Sequence, residues 1–263
     1  MKSVSEFAEQ LLSNDEYSFS WDELAAQVSK TEAGLKSEIN RLIVKKELIN
    51  LRKGFYLIPG QRYKKTGYLP VELFSEKLFK WLKRPYYLGL FSAAHLHGAA
   101  HQQIQQTYII TALPTLHDIK NDRFNIRFFS KKTWSDNGIV NMKSDAGTFR
   151  VSSPALTCVD LLRFQTNIGG TARILSILEE LVPEIDQNGI KNLLSCNCIK
   201  SSLQRLGYLL DYWQNDEPAQ ILYDHLKNQH LNPVLIDPDK NKNPGRTDNR
   251  WKVAINLNID EKL

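Results

Sequence analysis

Long apolar runs are missing from this chain of 263 residues. Nothing in it approaches the ~18 consecutive apolar residues that a membrane-spanning helix needs, so no span is expected. The opening Met1-Lys2-Ser3-Val4-Ser5-Glu6 has none of the apolar core of a secretion signal. A cytoplasmic protein is the expectation. Cysteine is scarce too: Cys158, Cys196 and Cys198 are an odd number, and a reducing compartment argues against a disulfide framework. Cys196 and Cys198 stand one residue apart, short of the ligand set that a zinc site requires. Reduced, partly buried thiols are expected.

Catalytic fingerprints are also absent. There is no GxGxxG, no GxxxxGK phosphate loop and no GxSxG serine elbow. Gly169-Gly170-Thr171 reads as a plain helix entry, with an anion site as the rarer alternative. His95 and His97 point apart on a helix; on a strand they would share a face, with His101 as a third ligand. A hydrogen-bonded histidine or a polar edge beside Gly98 is the simpler account. A nuclease-like set can be drawn from Asp237, Asp239 and Lys252, although the two aspartates read more simply as loop caps. No enzyme, cofactor or metal is therefore expected.

What is present is clearest over residues 18–60, which read as a winged helix-turn-helix. A short helix from Trp21 to Val28 leads through Ser29 into a longer one starting at Lys30 and ending near Lys46, with Ser29 and Glu32 as a capping box. Runs Leu48–Leu51 and Phe55–Ile58 flank the basic turn Arg52-Lys53-Gly54 as a wing, closed by Pro59-Gly60. Leu35, Ile39, Leu42 and Ile43 fall on one stripe of the second helix. Turning 100° per residue puts Lys30, Ala33, Gly34, Ser37, Asn40 and Arg41 opposite. Asn and Arg are the side chains that read adenine and guanine edges.

Charge follows the same division. Residues 1–29 hold one lysine and six carboxylates; residues 30–65 hold ten lysines or arginines and three glutamates. That reversal fits the phosphate footprint of a DNA reader, although a solvated packing domain would also carry a basic face. Lys30, Ser37, Asn40 and Arg41 are expected in the major groove, Lys36 and Lys45 on flanking phosphate, and Arg52 and Lys53 on the backbone or minor groove. Arg62, Lys64 and Lys65 extend the positive surface along a polar connection.

Domain boundaries are expected as 1–60 for the winged unit, 61–69 for a basic linker and 70–263 for a mixed α/β domain with a small sheet and several helices, α+β overall. Helices are predicted at Ser3–Leu12, Val71–Leu82, Ser153-Pro154 to Phe164, Gly170–Val182, Gln187–Leu194, Ile199–Trp213 and Pro218–Leu226. Ser92 is read as capping a short helix ended by Gly98. Ser18–Ser20 is predicted as the first strand of the winged unit; Thr107–Ala112, Asn125–Ser130, Gly138–Met142 and Phe149–Val151 are predicted as an antiparallel sheet, with strands Pro233–Asp237 and Trp251–Leu257 near the end. Asp237–Arg250 reads as a long polar loop. Gly207 lies inside a predicted helix, where glycine costs about 1 kcal/mol relative to alanine, so close packing against a neighbour is expected.

Several of these segments together resemble one family. Lys53-Gly54-Phe55-Tyr56-Leu57-Ile58-Pro59-Gly60 is similar to the wing of AbiEi-type antitoxins, of the abortive-infection (type IV) toxin–antitoxin systems. Ser92-Ala93-Ala94-His95-Leu96-His97-Gly98, Ser153-Pro154 through Thr157 to Asp160-Leu161, Arg205–Leu210 and Trp251–Asn256 resemble its later segments in order. The resemblance implies a winged domain that binds inverted repeats in promoter DNA and represses its own operon. It also implies a C-terminal domain that counteracts a nucleotidyltransferase-like toxin without a stable complex. It supplies no catalytic residue, and the Asp237–Arg250 loop departs from it. Two other accounts stay open: a metal-dependent nuclease or nucleotide-modifying enzyme, and a ligand-sensing transcriptional regulator with no antitoxin role.

Overall fold

A computed structural model describes residues 2–64, 68–99, 106–240 and 246–260. Its architecture is α+β. Helix α1 (Val4–Ser13) starts at a capping box in which the Ser3 hydroxyl accepts the Glu6 N–H and the Glu6 carboxylate accepts the Ser3 N–H. Strand β1 (Ser18–Ser20) runs into α2 (Trp21–Gln27) through a second capping box, Ser20 with Glu23.

Helix α3 (Glu32–Val44) corrects the predicted start. Thr31, not Ser29, is the N-cap, its hydroxyl taking the Gly34 N–H. The Lys30 N–H bonds the Val28 carbonyl at 2.9 Å, holding that segment in a turn outside the helix. Strands β2 (Ile49–Arg52) and β3 (Phe55–Leu57) follow, and β3 pairs antiparallel with both β1 and β2 in the order β1-β3-β2. Gly54, at φ +85°, makes the turn between them. Past Pro59 the chain forms α4 (Gly60–Lys64) within the polar connection; 65–67, with Lys65, lie outside the described residues.

The predicted helix over 71–82 divides into a 3₁₀ turn (Val71–Leu73) and α5 (Ser75–Leu82). Strand β4 (Tyr86–Leu88) precedes α6 (Leu90–Leu96). Gly89, not Ser92, sits at the N-cap of α6; Ser92 lies inside the helix, its hydroxyl accepting the Tyr108 N–H. Then come β5 (Thr107–Ala112), β6 (Ile119–Lys120), β7 (Asn125–Lys131), β8 (Ile139–Ser144) and β9 (Gly147–Ser152). The sheet order is β6-β7-β5-β4-β9-β8. It is mixed, not antiparallel, because β4 joins β9 in parallel at Leu88↔Val151. The three residues of β4 are all buried, so the sequence offered no alternation by which to recognise it.

The remaining helices are α7 (Pro154–Phe164), α8 (Thr171–Leu181), α9 (Gln187–Leu194), α10 (Lys200–Tyr212) and α11 (Asp216–Leu226). A last sheet orders β10 (Val234–Leu235), β12 (Val253–Ile255) and β11 (Arg246–Asp248) as β10-β12-β11. Strand β11 falls in the predicted polar loop, whose residues 241–245 lie outside the described ones.

The chain divides into two compact units. The first takes residues 1–86, 115–128 and 141–150, and the second takes 87–114, 129–140 and 151–263. Val4, Phe7, Phe19, Leu24, Leu35, Ile39 and Leu42 centre the core of the first. Phe55 of β3 packs on Trp81 of α5 at 5.2 Å between ring centres, and Lys77 pairs with Glu16 and Glu23. In the second unit α7 is the hub, with Ala155–Leu162 buried without interruption and α6, α8, α9 and α10 packed around it. The expected close approach at Gly207 is to Trp251: a Cβ there would lie 2.2 Å from the indole ring.

Candidate functional site

Because Leu35, Ile39 and Leu42 face the core of the first unit, the helical period turns the opposite side of α3 to solvent. Ala33, Ser37, Asn40 and Arg41 are exposed there, and Gly34 is half-buried. Val44 shares this face, three and four residues on from Arg41 and Asn40, and is 82% exposed. It is not among the residues expected in the groove, although its spacing from Ser37, Asn40 and Arg41 places it on their face. The face offers an amide, a guanidinium, a hydroxyl and two apolar side chains on a rigid helix.

The surrounding cations differ in what they are free to do. Lys30, just ahead of the helix, is ion-paired with Glu38. The Lys30 ammonium first, and then the Val4 N–H at 3.1 Å, hold the Glu38 carboxyl below its ordinary pKa. Lys36 pairs with Glu32 one turn back and stands 5.9 Å over the Trp21 ring. Lys45 caps the C-terminus of α3 and is exposed, as is Lys53 at the tip of the turn.

Arg52 lies differently from its neighbour Lys53. Its guanidinium stacks 5.2 Å from the centre of the Phe128 ring and donates to the His117 carbonyl. Its Nε is buried without a hydrogen-bond partner. Burial, and then the nearby Arg84, push its pKa down. Both partners come from the 115–128 segment of the same unit. The turn thus presents one cation, Lys53, to solvent, while Arg52 fastens the strand to its own unit.

In the second unit, His97 Nε2 lies 2.7 Å from the Ser152 carbonyl, the hydrogen-bonded role named as the simpler account. His95 is exposed on α6, and His101 lies outside the described residues. Asp237 is buried, accepts the Asp239 N–H and takes the Asn256 side chain on its backbone, so it caps its loop; Lys252 is exposed at φ +54°. No group of three or more His, Cys, Asp or Glu among the described residues is placed to hold a metal. No helix among them is long and apolar enough to cross a membrane.

The most buried charge is Asp160 on α7. It accepts from the Tyr87 hydroxyl at 2.6 Å and pairs with Lys131 at 2.7 Å, the carboxylate fully buried and the lysine side chain 12% exposed. Burial, then the carboxylate, push the Tyr87 phenol far above its ordinary pKa. These three residues come from β4, β7 and α7, too far apart in sequence for any motif to join them.

Residues 87–212 match the family model of the AbiEi antitoxin C-terminal domain. The chain is also similar to the crystal structure of the RV2827C protein from Mycobacterium tuberculosis. That likeness covers 97% of this chain and 91% of that one, with a TM-score of 0.66 at 15% identity, and is a likeness of fold. No curated protein matches.

Proposed function

From the AbiEi antitoxin C-terminal domain at residues 87–212, we propose that this chain is the antitoxin of a type IV toxin–antitoxin system that also represses its own operon. The domain match supports the antitoxin role. DNA binding rests on one observation: the solvent-facing side of α3, with Ser37, Asn40, Arg41 and Val44 in line.

On this account residues 1–60 are a winged helix-turn-helix, 61–69 a basic connection and 70–263 the part that acts against the toxin. The order α1-β1-α2-α3-β2-β3, with its three-stranded sheet, supports the winged-helix reading. Arg41 takes a guanine edge, Asn40 an adenine edge, and the Val44 methyls meet a thymine methyl. Lys36, Lys45 and Lys53 sit on phosphate. Lys30 reaches phosphate only by leaving Glu38, and Arg52 holds the wing rather than the duplex. The DNA partner is an inverted repeat in the promoter, and the toxin is a nucleotidyltransferase-like enzyme opposed without a stable complex.

Full-length protein and a duplex from upstream of its own gene provide the test. Tight binding that Arg41→Ala weakens on that duplex, but not on a scrambled one, supports the reading; equal loss on both contradicts the assigned face. Co-expression with the product of the adjacent gene tests the other arm. Growth rescued by the wild type and equally by Arg41→Ala would separate antitoxin action from DNA reading. Failure of both to rescue would overturn the antitoxin role.

A further inference from the structure

Cys196 and Cys198 belong to none of the machinery above. They sit in the joint between α9 and α10, each half-buried. The Cys198 N–H donates to the Cys196 carbonyl at 2.7 Å, closing a tight three-residue turn over Asn197. Two Cα–Cα steps span at most about 7 Å. A turn shortens that into the range of about 4.4–6.8 Å that disulfides occupy. The Cys196 thiol donates to the Asn137 carbonyl at 2.8 Å, and the Cys198 thiol to the Leu193 carbonyl at 3.9 Å. The backbone is pinned on the α9 side, where the Cys196 N–H bonds the Leu193 carbonyl at 2.9 Å.

We propose that Cys196 and Cys198 are a redox-modifiable dithiol that a hydroperoxide converts to an intramolecular disulfide and a thiol reductant restores. In the first step the Cys196 thiolate attacks a peroxide oxygen. An S–O bond forms, the O–O bond breaks, and the departing hydroxide takes a proton to become water. In the second, the Cys198 sulfur attacks the Cys196 sulfur; the S–S bond forms, the S–O bond breaks, and the thiol proton leaves with the hydroxide. Two thiols and one hydrogen peroxide give one disulfide and two waters.

The surroundings set the order of attack. The Cys198 thiol, the Ser135 hydroxyl and then the Lys131 ammonium hold the Cys196 pKa below its ordinary value, against burial and Asp160. The neighbouring Cys196, and then burial, raise the pKa of Cys198, which keeps its proton and resolves. The Asn137 carbonyl, 2.8 Å from the Cys196 sulfur, accepts from the neutral thiol, so the anion depends on the other three groups. Cys158 is fully buried in α7 and its thiol is pushed far up by burial, so it stays out of the exchange.

Cleavage after Lys191 and Lys200 isolates both cysteines on one peptide, away from Cys158. Native full-length protein is treated with hydrogen peroxide, quenched with iodoacetamide and mapped by mass. The expected result is a 192–200 peptide lighter by two hydrogens and free of alkyl groups, returned to the doubly alkylated form by dithiothreitol before quenching. In Cys198→Ser the reaction stops at a Cys196 sulfenic acid that dimedone traps. Two alkylated cysteines after peroxide, oxidation straight to sulfinate, or bridges only between chains would overturn the proposal. The wild-type map stands alone should the variant fail to fold.

Discussion

Helices α3 and α7 are of similar length and do opposite things. Helix α3 buries Leu35, Ile39 and Leu42 and turns its opposite side to solvent, whereas α7 buries every residue from Ala155 to Leu162, including the carboxylate of Asp160. The first is a helix that presents side chains; the second is one around which a domain is assembled. A polar residue therefore means different things on each. On α3, Asn40 and Arg41 are open to a ligand. On α7, Asp160 already accepts from Tyr87 and is ion-paired with Lys131, so changing it acts on stability first.

The largest expected effect follows from that contrast. Asp160→Asn strands the Lys131 ammonium in a largely buried site, and breaking such a pair costs about 3 kcal/mol. A urea titration should show the loss; an unchanged midpoint would mean that α7 is not the hub described. Next is Gly207→Ala, whose methyl must displace the Trp251 ring. Overpacking of that kind costs about 2 kcal/mol, more than the helix propensity that alanine restores, again read in the denaturation midpoint.

On the presenting side, Arg41→Ala should leave that midpoint within about 0.5 kcal/mol, as exposed substitutions do. Its cost should fall on DNA, at about tenfold in affinity for the specific duplex. The wing sharpens the comparison within one turn. Arg52→Ala should lower stability by about 1 kcal/mol, through the lost contact with Phe128 and the His117 carbonyl, while Lys53→Ala should leave stability alone and weaken all DNA alike.

The smallest effect concerns pH. Glu38 is held below its ordinary pKa in the folded state. Its contribution is therefore present above the unfolded carboxylate value and lost as pH falls through the folded one. With both side chains about a quarter exposed, the pair with Lys30 is worth about 0.5 kcal/mol. Glu38→Gln should remove that increment at neutral pH and flatten the acid limb of the stability profile.

Local physics made much of the first unit legible. The stripe of α3, the Ser20–Glu23 box and the Gly54 turn are all set by residues within a few positions of one another. So is the Ser153-Pro154 entry to α7. Legibility failed where two local signals competed, as when Thr31 displaced Ser29 as the cap of α3. It failed where an element was too short to show a period, as in β4. It failed most where a side chain's role depended on distant partners. Nothing near Arg52 foretells Phe128, and nothing near Asp160 foretells Lys131. The open side of α3 is the more legible feature because an exposed face is defined by its own helix alone.

The central claim, that the open face of α3 reads a promoter, is tested most directly by fluorescence anisotropy. Full-length wild type, Arg41→Ala and Lys53→Ala would each be titrated against specific and scrambled duplexes across a salt series. The account predicts that Arg41→Ala closes the gap between the two duplexes, while Lys53→Ala keeps the gap and lowers the salt slope by about 1. Wild-type binding that is indifferent to sequence at every salt concentration, or an Arg41→Ala protein that discriminates as well as wild type, would contradict it.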